Sequence, residues 1–238
     1  MDLRSLERDG VLTSNLRYRI TNLFGDVEAN APGPQVFRVE QGAGQTTAPH
    51  YHAVPQFQVL DGRPGRFGRA EVSAPTIHYA DPWTTYGPIV GGDAGLSYFT
   101  ARMASDTGAH FMPESRHEKP QRSGRHFTVS LAPADAGEAQ EGAVLDVLIE
   151  AQPDGLAAYR VRLAPGNGIE LPACTGIGRL VAVVSGSLVD AGREFGLWSW
   201  GYAATVDDRA ISAGSDGATV LCLDYPAAGA QATPRSAA

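Results

Sequence analysis

The stretch Gly44-Gln-Thr-Thr-Ala-Pro-His50-Tyr-His52-Ala-Val-Pro-Gln56-Phe-Gln-Val-Leu-Asp-Gly62 decides how this chain folds. In an extended strand, residues i and i+2 share a face, so His50 and His52 project together while Tyr51 points the other way. Gln56 lies four residues further on and returns to the histidine face if the strand resumes after a turn at Pro55. Imidazole nitrogens suit Fe, Ni, Cu and Zn, and a side-chain amide oxygen is a weaker, neutral donor. A second strand must bring a further ligand, and His78 is the candidate. Two alternating histidines alone are equally at home on a surface or in a hydrogen-bonded core, so the surroundings decide.

Working outward, 28 Gly and 16 Pro break the chain into brief segments. Most read as strands: Gln35–Glu40, Gln56–Leu60, Leu96–Ala101, His126–Leu131, Ala158–Leu163, Arg179–Val184 and Ala218–Leu223. They alternate apolar with polar residues and are rich in β-branched and aromatic types. Helical periodicity is confined to Leu3–Leu16 and Asp135–Leu148. Many short strands between frequent turns predict an antiparallel barrel or jelly roll. An internal repeat sharpens this. Gly44, His50, His52, Gln56 and Gly62 are followed at one spacing of 124 (168 − 44) by Gly168, Cys174, Gly176, Leu180 and Gly186. Gly92–Phe99 resembles Gly214–Leu221 at nearly the same offset. All six histidines, His50, His52, His78, His110, His117 and His126, fall in the first copy. The chain thus divides into an N-terminal extension (1–29), a first module (30–131), a linker (132–144), a second module (145–226) and a tail (227–238).

At this point the sequence resembles the cupin superfamily. Its first motif is a Gly, five residues, HxH, three or four residues, a Glu, and six residues to a Gly. Gly44 to Gly62 follows it, with Gln56 in place of the Glu and one residue fewer before Gly62. Ala74-Pro75-Thr-Ile-His78 is similar to the second motif, with Pro75 where its Gly stands and Pro82 where its Asn stands. The resemblance covers roughly residues 30–225 and implies an all-β chain of two tandem cupin jelly-roll barrels, a bicupin. It also implies one divalent metal ion held by His50, His52, Gln56 and His78, with Fe(II) favoured over Zn, Ni or Mn. Three neutral imidazoles and a neutral amide leave the ion its full charge and favour an anionic ligand. Gln56 either binds the metal or hydrogen-bonds a bound water or substrate. The implied function is a metal-dependent enzyme for a small carboxylate or enolisable substrate. A dioxygenase is favoured over an isomerase or lyase, and non-catalytic ligand binding is the alternative.

Around the metal, Trp83 and Tyr86 belong near the barrel mouth as an aromatic wall, with Tyr98 and Arg38 as further substrate contacts. His110 reads as a core residue, and His117 and His126 as solvent-facing. In the second module, Cys174, Gly176, Leu180 and a residue near Tyr202 offer no metal site. There Leu180 is expected to fill the metal's place, and Trp198, Trp200 and Tyr202 to line the cavity. A net charge of −7 with scattered Lys and Arg argues against nucleic acid. No stretch approaches the roughly 20 apolar residues of a membrane span. The charged N-terminus lacks an apolar signal core, so a cytoplasmic location is expected. Cys174 and Cys222 sit alone in apolar contexts, as buried thiols do. The expected partners are a small-molecule substrate and a second copy of the chain in a homodimer.

Overall fold

The computed structural model describes residues 1–7, 11–14, 18–25, 32–120, 124–131, 141–203 and 210–227. Among them there is no α-helix, and no helix long and apolar enough to cross a membrane. The one helical turn is a short 3-10 segment, Glu114–Glu118.

In the first module, β2 (Val11–Ser14), β3 (Arg19–Phe24), β4 (Pro32–Gln41), β7 (Gln56–Asp61), β10 (Pro75–Ala80), β12 (Leu96–Ala104) and β14 (His126–Ser130) form one antiparallel sheet. Their order is β14-β10-β7-β12-β4-β3-β2. β5 (Thr46–Thr47), β8 (Gly65–Phe67), β9 (Ala70–Val72) and β11 (Ile89–Gly91) make the opposing wall, and β6 (His50–Tyr51) pairs with β13 (His110–Phe111). In the second module the order is β1 (Asp2–Arg4), β20 (Trp200–Ala203), β18 (Gly178–Asp190), β21 (Ala210–Tyr225), β16 (Ala157–Leu163) and β15 (Ala143–Ile149). β17 (Gly168–Glu170) pairs with β21, and β19 (Arg193–Phe195) with β18. Neither expected helix is present among the described residues, where these segments form strands and turns. The segments 2–4, 11–14 and 143–149 all find sheet partners, and ladder pairing overrides their weak 3.6-residue periodicity. The segment expected as an N-terminal extension contributes β1 to the second module's sheet and β2 and β3 to the first. Residues 132–140 of the expected linker and 228–238 of the tail lie outside the described residues.

Strand alternation builds three cores. Phe37, Val39, Leu60, Phe67, Ile89, Leu96 and Tyr98 fill the first barrel. Val161, Val181, Val183, Leu188, Ile211 and Val220 fill the second. Between them the outer faces of the two large sheets meet, with Phe57, Val59, Ile77, Phe99 and Ala101 against Leu180, Ala182, Trp200, Leu221 and Leu223. Each fully buried side chain of this kind contributes about 1.5–3 kcal/mol. The Tyr225 hydroxyl donates to the Ala101 carbonyl across this seam (2.5 Å), and Arg125 bridges Asp81 to Asp154.

The two modules repeat strand by strand, but not at the single spacing of 124. Gly44 (φ +65) bonds the Gly92 carbonyl through its N–H, and Gly166 (φ +67), not Gly168, does the same to Gly214. The offset there is 122 (166 − 44). Gln58 lies opposite His78 and Thr100, and Val181 lies opposite Gly201 and Cys222. On β7 and β18 the offset is thus 123 (181 − 58). A bulge between Val183 and Ser185 adds one more residue, so Gly62 (φ +91) and Gly186 (φ +65) do stand 124 apart. A one-residue difference reverses every side chain. Gln56 therefore matches Arg179 rather than Leu180, and His78 matches Gly201. Leu180 points into the seam between the modules instead of into a barrel. Trp198 and Trp200 pack there on Phe99, at 5.2 and 5.3 Å, and do not line a second cavity; Tyr202 packs against the same core.

Gly176 shows how closely the second module is fitted. A Cβ added to it would lie 1.7 Å from the Tyr225 carbonyl oxygen. Gly176→Ala is expected to cost about 3 kcal/mol or more, which lowers the thermal midpoint by roughly 5–10 °C in a chain of this size. Gly196→Ala, whose Cβ meets nothing closer than 4.0 Å, should leave the midpoint within about 1 °C. Equal melting of the two variants would refute the packing argument.

Candidate metal centre

Pro49 and Pro55 bracket a very short strand, so only His50 and Tyr51 pair regularly. His50 is tied to Tyr86 on both sides, N–H to carbonyl at 3.1 Å and the reverse at 3.0 Å. Tyr51 turns away, stacks on His110 at 4.9 Å and donates its hydroxyl proton to the Ser115 carbonyl. The barrel face receives His50 and His52 from this segment, Gln56 and Gln58 from β7, His78 from β10, and Arg102 from β12.

Each histidine is anchored through Nδ1. His50 Nδ1 donates to the Ala48 carbonyl (2.8 Å), His52 Nδ1 to the Asp106 carboxylate, and His78 Nδ1 faces Thr128 Oγ1 (2.8 Å). A carbonyl and a carboxylate only accept, which puts the proton on Nδ1 and the lone pair on Nε2. His78 Nε2 is fully buried and has no hydrogen-bond partner. Arg102 Nη2 lies 3.0 Å from His52 Nδ1 and 3.3 Å from Nε2. Near-equal distances to both nitrogens place the guanidinium over the ring face, clear of the in-plane lone pair. Burial lowers the pKa of His50 to about 4, and that of His52 and His78 to about 3. All three are neutral at pH 7, as metal ligands must be. Burial alone would raise Asp106, but the His52 hydrogen bond and the Arg102 charge hold it below the usual carboxylate range.

Gln56 is used at both ends. Its amide nitrogen donates to the Tyr86 hydroxyl, and its oxygen accepts from Arg102 Nε at 3.0 Å. The Tyr86 ring neighbours all three imidazoles, at 4.5 Å from His50, 5.1 Å from His78 and 6.5 Å from His52. Among the described residues, no group of three or more His, Cys, Asp or Glu side chains stands close enough together to hold a metal ion. Donor type, the Nδ1–H tautomer of His50 and His52, and the orphaned Nε2 of His78 suit a metal. The spacing would have to tighten around Tyr86 to close on one.

The other expected contacts divide. Tyr98 is buried inside the barrel near Tyr86 and Thr47. Trp83, at a positive φ of 65°, packs on Tyr51 (5.6 Å) and His110 (6.1 Å), on the side away from the three histidines. Arg38 points outward, to Ser97 (2.7 Å), Glu40 and Asp61. His110 is half-buried and bonded to Glu118, not a core residue, while His117 and His126 are exposed. Arg102 and Asp106 went unnoticed in the sequence. The available signal was the one charge in Leu96–Ala104, in phase with Tyr98 and Thr100. A cavity of about 490 Å³ is lined by Thr46, Ala48, Phe111 and Met112 and by none of the three histidines.

In the second barrel, Arg179 and Asp224 occupy the positions of Gln56 and Arg102 and pair with each other (2.5 and 2.7 Å). Gly201 stands where His78 would be, and the Met1 and Leu3 side chains cover it.

No protein-family model matches this sequence, nor does any curated protein. Solved structures match over nearly the whole chain. A candidate dioxygenase of Nostoc punctiforme is similar with a TM-score of 0.66 and 10% identity, over 100% of this chain and 86% of that one. Oxalate decarboxylase of Bacillus subtilis gives 0.64 and 11%, over 94% and 76%. Oxalate decarboxylase of Lactobacillus farciminis gives 0.62 and 12%, over 95% and 87%. Strand order, the repeated module and these likenesses agree: this chain has the fold of a two-module cupin.

Proposed function

We propose that the first barrel holds one divalent metal ion through His50, His52 and His78 and acts on a small anionic organic substrate. The observation that carries this is the pair of Nδ1 anchors on His50 and His52, with the unpartnered Nε2 of His78 beside them. Metal-binding histidines characteristically give their second ring proton to a carbonyl, carboxylate or similar acceptor, which fixes the tautomer and directs Nε2 at the ion. A bound ion would supply a Lewis acid with open coordination positions. Gln56, engaged by Arg102 and Tyr86, orients its neighbours rather than serving as a ligand. Arg102 adds a buried positive charge, and Asp106 is the carboxylate set against it. With a divalent ion present the site carries an excess of positive charge, which a carboxylate or enolate substrate would offset. Oxygenation by Fe(II) is the favoured reaction, consistent with open positions on a three-histidine face. The similarity to oxalate decarboxylases supports a lyase as the second reading.

Protein purified without chelators is expected to carry about one divalent ion per chain. His50→Ala and His78→Ala should lower metal affinity at least 100-fold, Gln56→Ala much less, and Cys174→Ser not at all. Absence of metal from the wild type, or two ions per chain, would overturn the proposal. Oxygen uptake on diketones, phenols and hydroxy acids then separates the oxygenase from the lyase.

A further inference from the structure

Rows of directly opposed side chains cross the inner face of the first module's large sheet. One runs Phe37, Thr100, Gln58, His78, Thr128, from β4 to the edge strand β14, and its neighbours end on His126 and Ser130. Opposed residues share a face, so this row is polar from Thr100 outward. Two of its buried atoms, Gln58 Oε1 and His78 Nε2, have no hydrogen-bond partner within the chain. Buried polar atoms of this kind are met by water or by a ligand, and either must come from outside. The second module repeats the row as Tyr159, Cys222, Val181, Gly201 and Leu3. Val181 and Cys222 are fully buried there, so the same fold packs without a polar row.

The two rows also end differently. His126, Thr128 and Ser130 are exposed although they lie on the barrel side of β14, while Phe127 and Val129 between them pack towards the seam. Thr128 Oγ1 lies 2.8 Å from Nδ1 of His78, which is 2% exposed. One side chain thus separates solvent from the histidine. In the second module the strand at this edge is β1, where Leu3 is 8% exposed and Met1 packs on the barrel core. A Cβ on Gly201 would meet Met1 Sδ at 2.5 Å and Leu3 Cδ2 at 2.7 Å. An apolar plug therefore fills the place that His78 takes in the first module. We propose that the first barrel is entered from the side, across β14, and that His126 and Thr128 determine which molecules reach His78. The exposed side chains there offer hydroxyls and an imidazole and no permanent charge, which admits small polar molecules. The second barrel has the same edge closed by Met1 and Leu3. This entrance goes beyond the metal proposal and exists whether or not an ion is bound.

The test is chemical access, read with the small neutral reagent methyl methanethiosulfonate on chelator-treated protein. Cys174→Ser removes the half-buried thiol, and Thr100→Cys places one in the first barrel where Cys222 stands in the second. Mass spectrometry follows the modification rate at each position under native conditions. Adding Thr128→Leu and His126→Met, which copy the apolar edge of the second module, should slow modification at position 100 at least tenfold. Cys222 should keep its rate, since opening of the fold would expose it as well. Thr128→Leu alone, a change at an exposed site, should slow position 100 at least threefold, and Thr128→Ser, which keeps the hydroxyl, should not slow it. An unchanged rate at position 100 in both plugged variants, or no reaction there before plugging, overturns the proposal.

Discussion

On acidification, the metal-free protein is expected to lose unfolding free energy at about 4 kcal/mol per pH unit between about pH 6 and pH 4. In the unfolded chain a histidine titrates near 6.5. In the fold, burial holds His50 at about 4 and His52 and His78 at about 3. A depressed folded pKa means that the unfolded chain takes up protons the folded chain refuses. Stability is therefore intact above about 6.5 and drains as the pH falls towards 4, with up to three protons of difference. Domains are typically stable by about 5–15 kcal/mol, so acid unfolding should be complete within two to three units of neutrality. Urea unfolding of chelator-treated protein at pH 7, 6, 5.5 and 5 checks this, and a loss below about 1 kcal/mol between pH 6.5 and 5 would sink it. His78→Leu should reduce the slope by about one proton. A divalent ion that binds the neutral imidazoles should shift the transition to lower pH.

The fold was legible because its signals are local. HxH between prolines, glycines at the strand ends and alternating strands survive without knowledge of the partner strands. The doubling of the module was legible too, since Gly62 and Gly186 keep their spacing. The register was not. One residue gained between Gly166 and Arg179, and another in the bulge after Val183, move the offset from 122 to 124 along one module. Sequence comparison sees only the end that fits. Because strand parity is binary, that small drift put Leu180 on the wrong face and hid Arg179 as the counterpart of Gln56. Arg38 and Arg102 make the same point at the site. Both are arginines in strands of alternating pattern, and only the ladder shows that Arg38 turns outward to Ser97 while Arg102 turns inward to His52. Asp106 could be joined to His52 only through tertiary structure, across 54 residues of sequence.

The ion pair that replaces the site in the second barrel should behave unlike a surface salt bridge. Arg179 and Asp224 side chains are each only 2% exposed, held by two hydrogen bonds, with a further bond from Arg179 to the Pro172 carbonyl (2.8 Å). Burial raises the Asp224 pKa above the usual carboxylate range in spite of its partner, so desolvation takes back much of what the attraction gives. Asp224→Ala leaves a guanidinium buried without a counter-charge and is expected to cost about 3–5 kcal/mol, a fall of roughly 10 °C in midpoint. Removing both charges with Arg179→Met and Asp224→Leu should recover most of that loss, because two apolar side chains of similar volume need no desolvation. Thermal melts of the wild type, the single variant and the double variant, at pH 7 and fixed salt, measure the difference. Metal content should be the same in all three, since the pair lies in the other barrel. A double variant as unstable as Asp224→Ala would show instead that the pair is a net stabiliser. The second module would then depend on its charges as closely as the first is proposed to depend on its histidines.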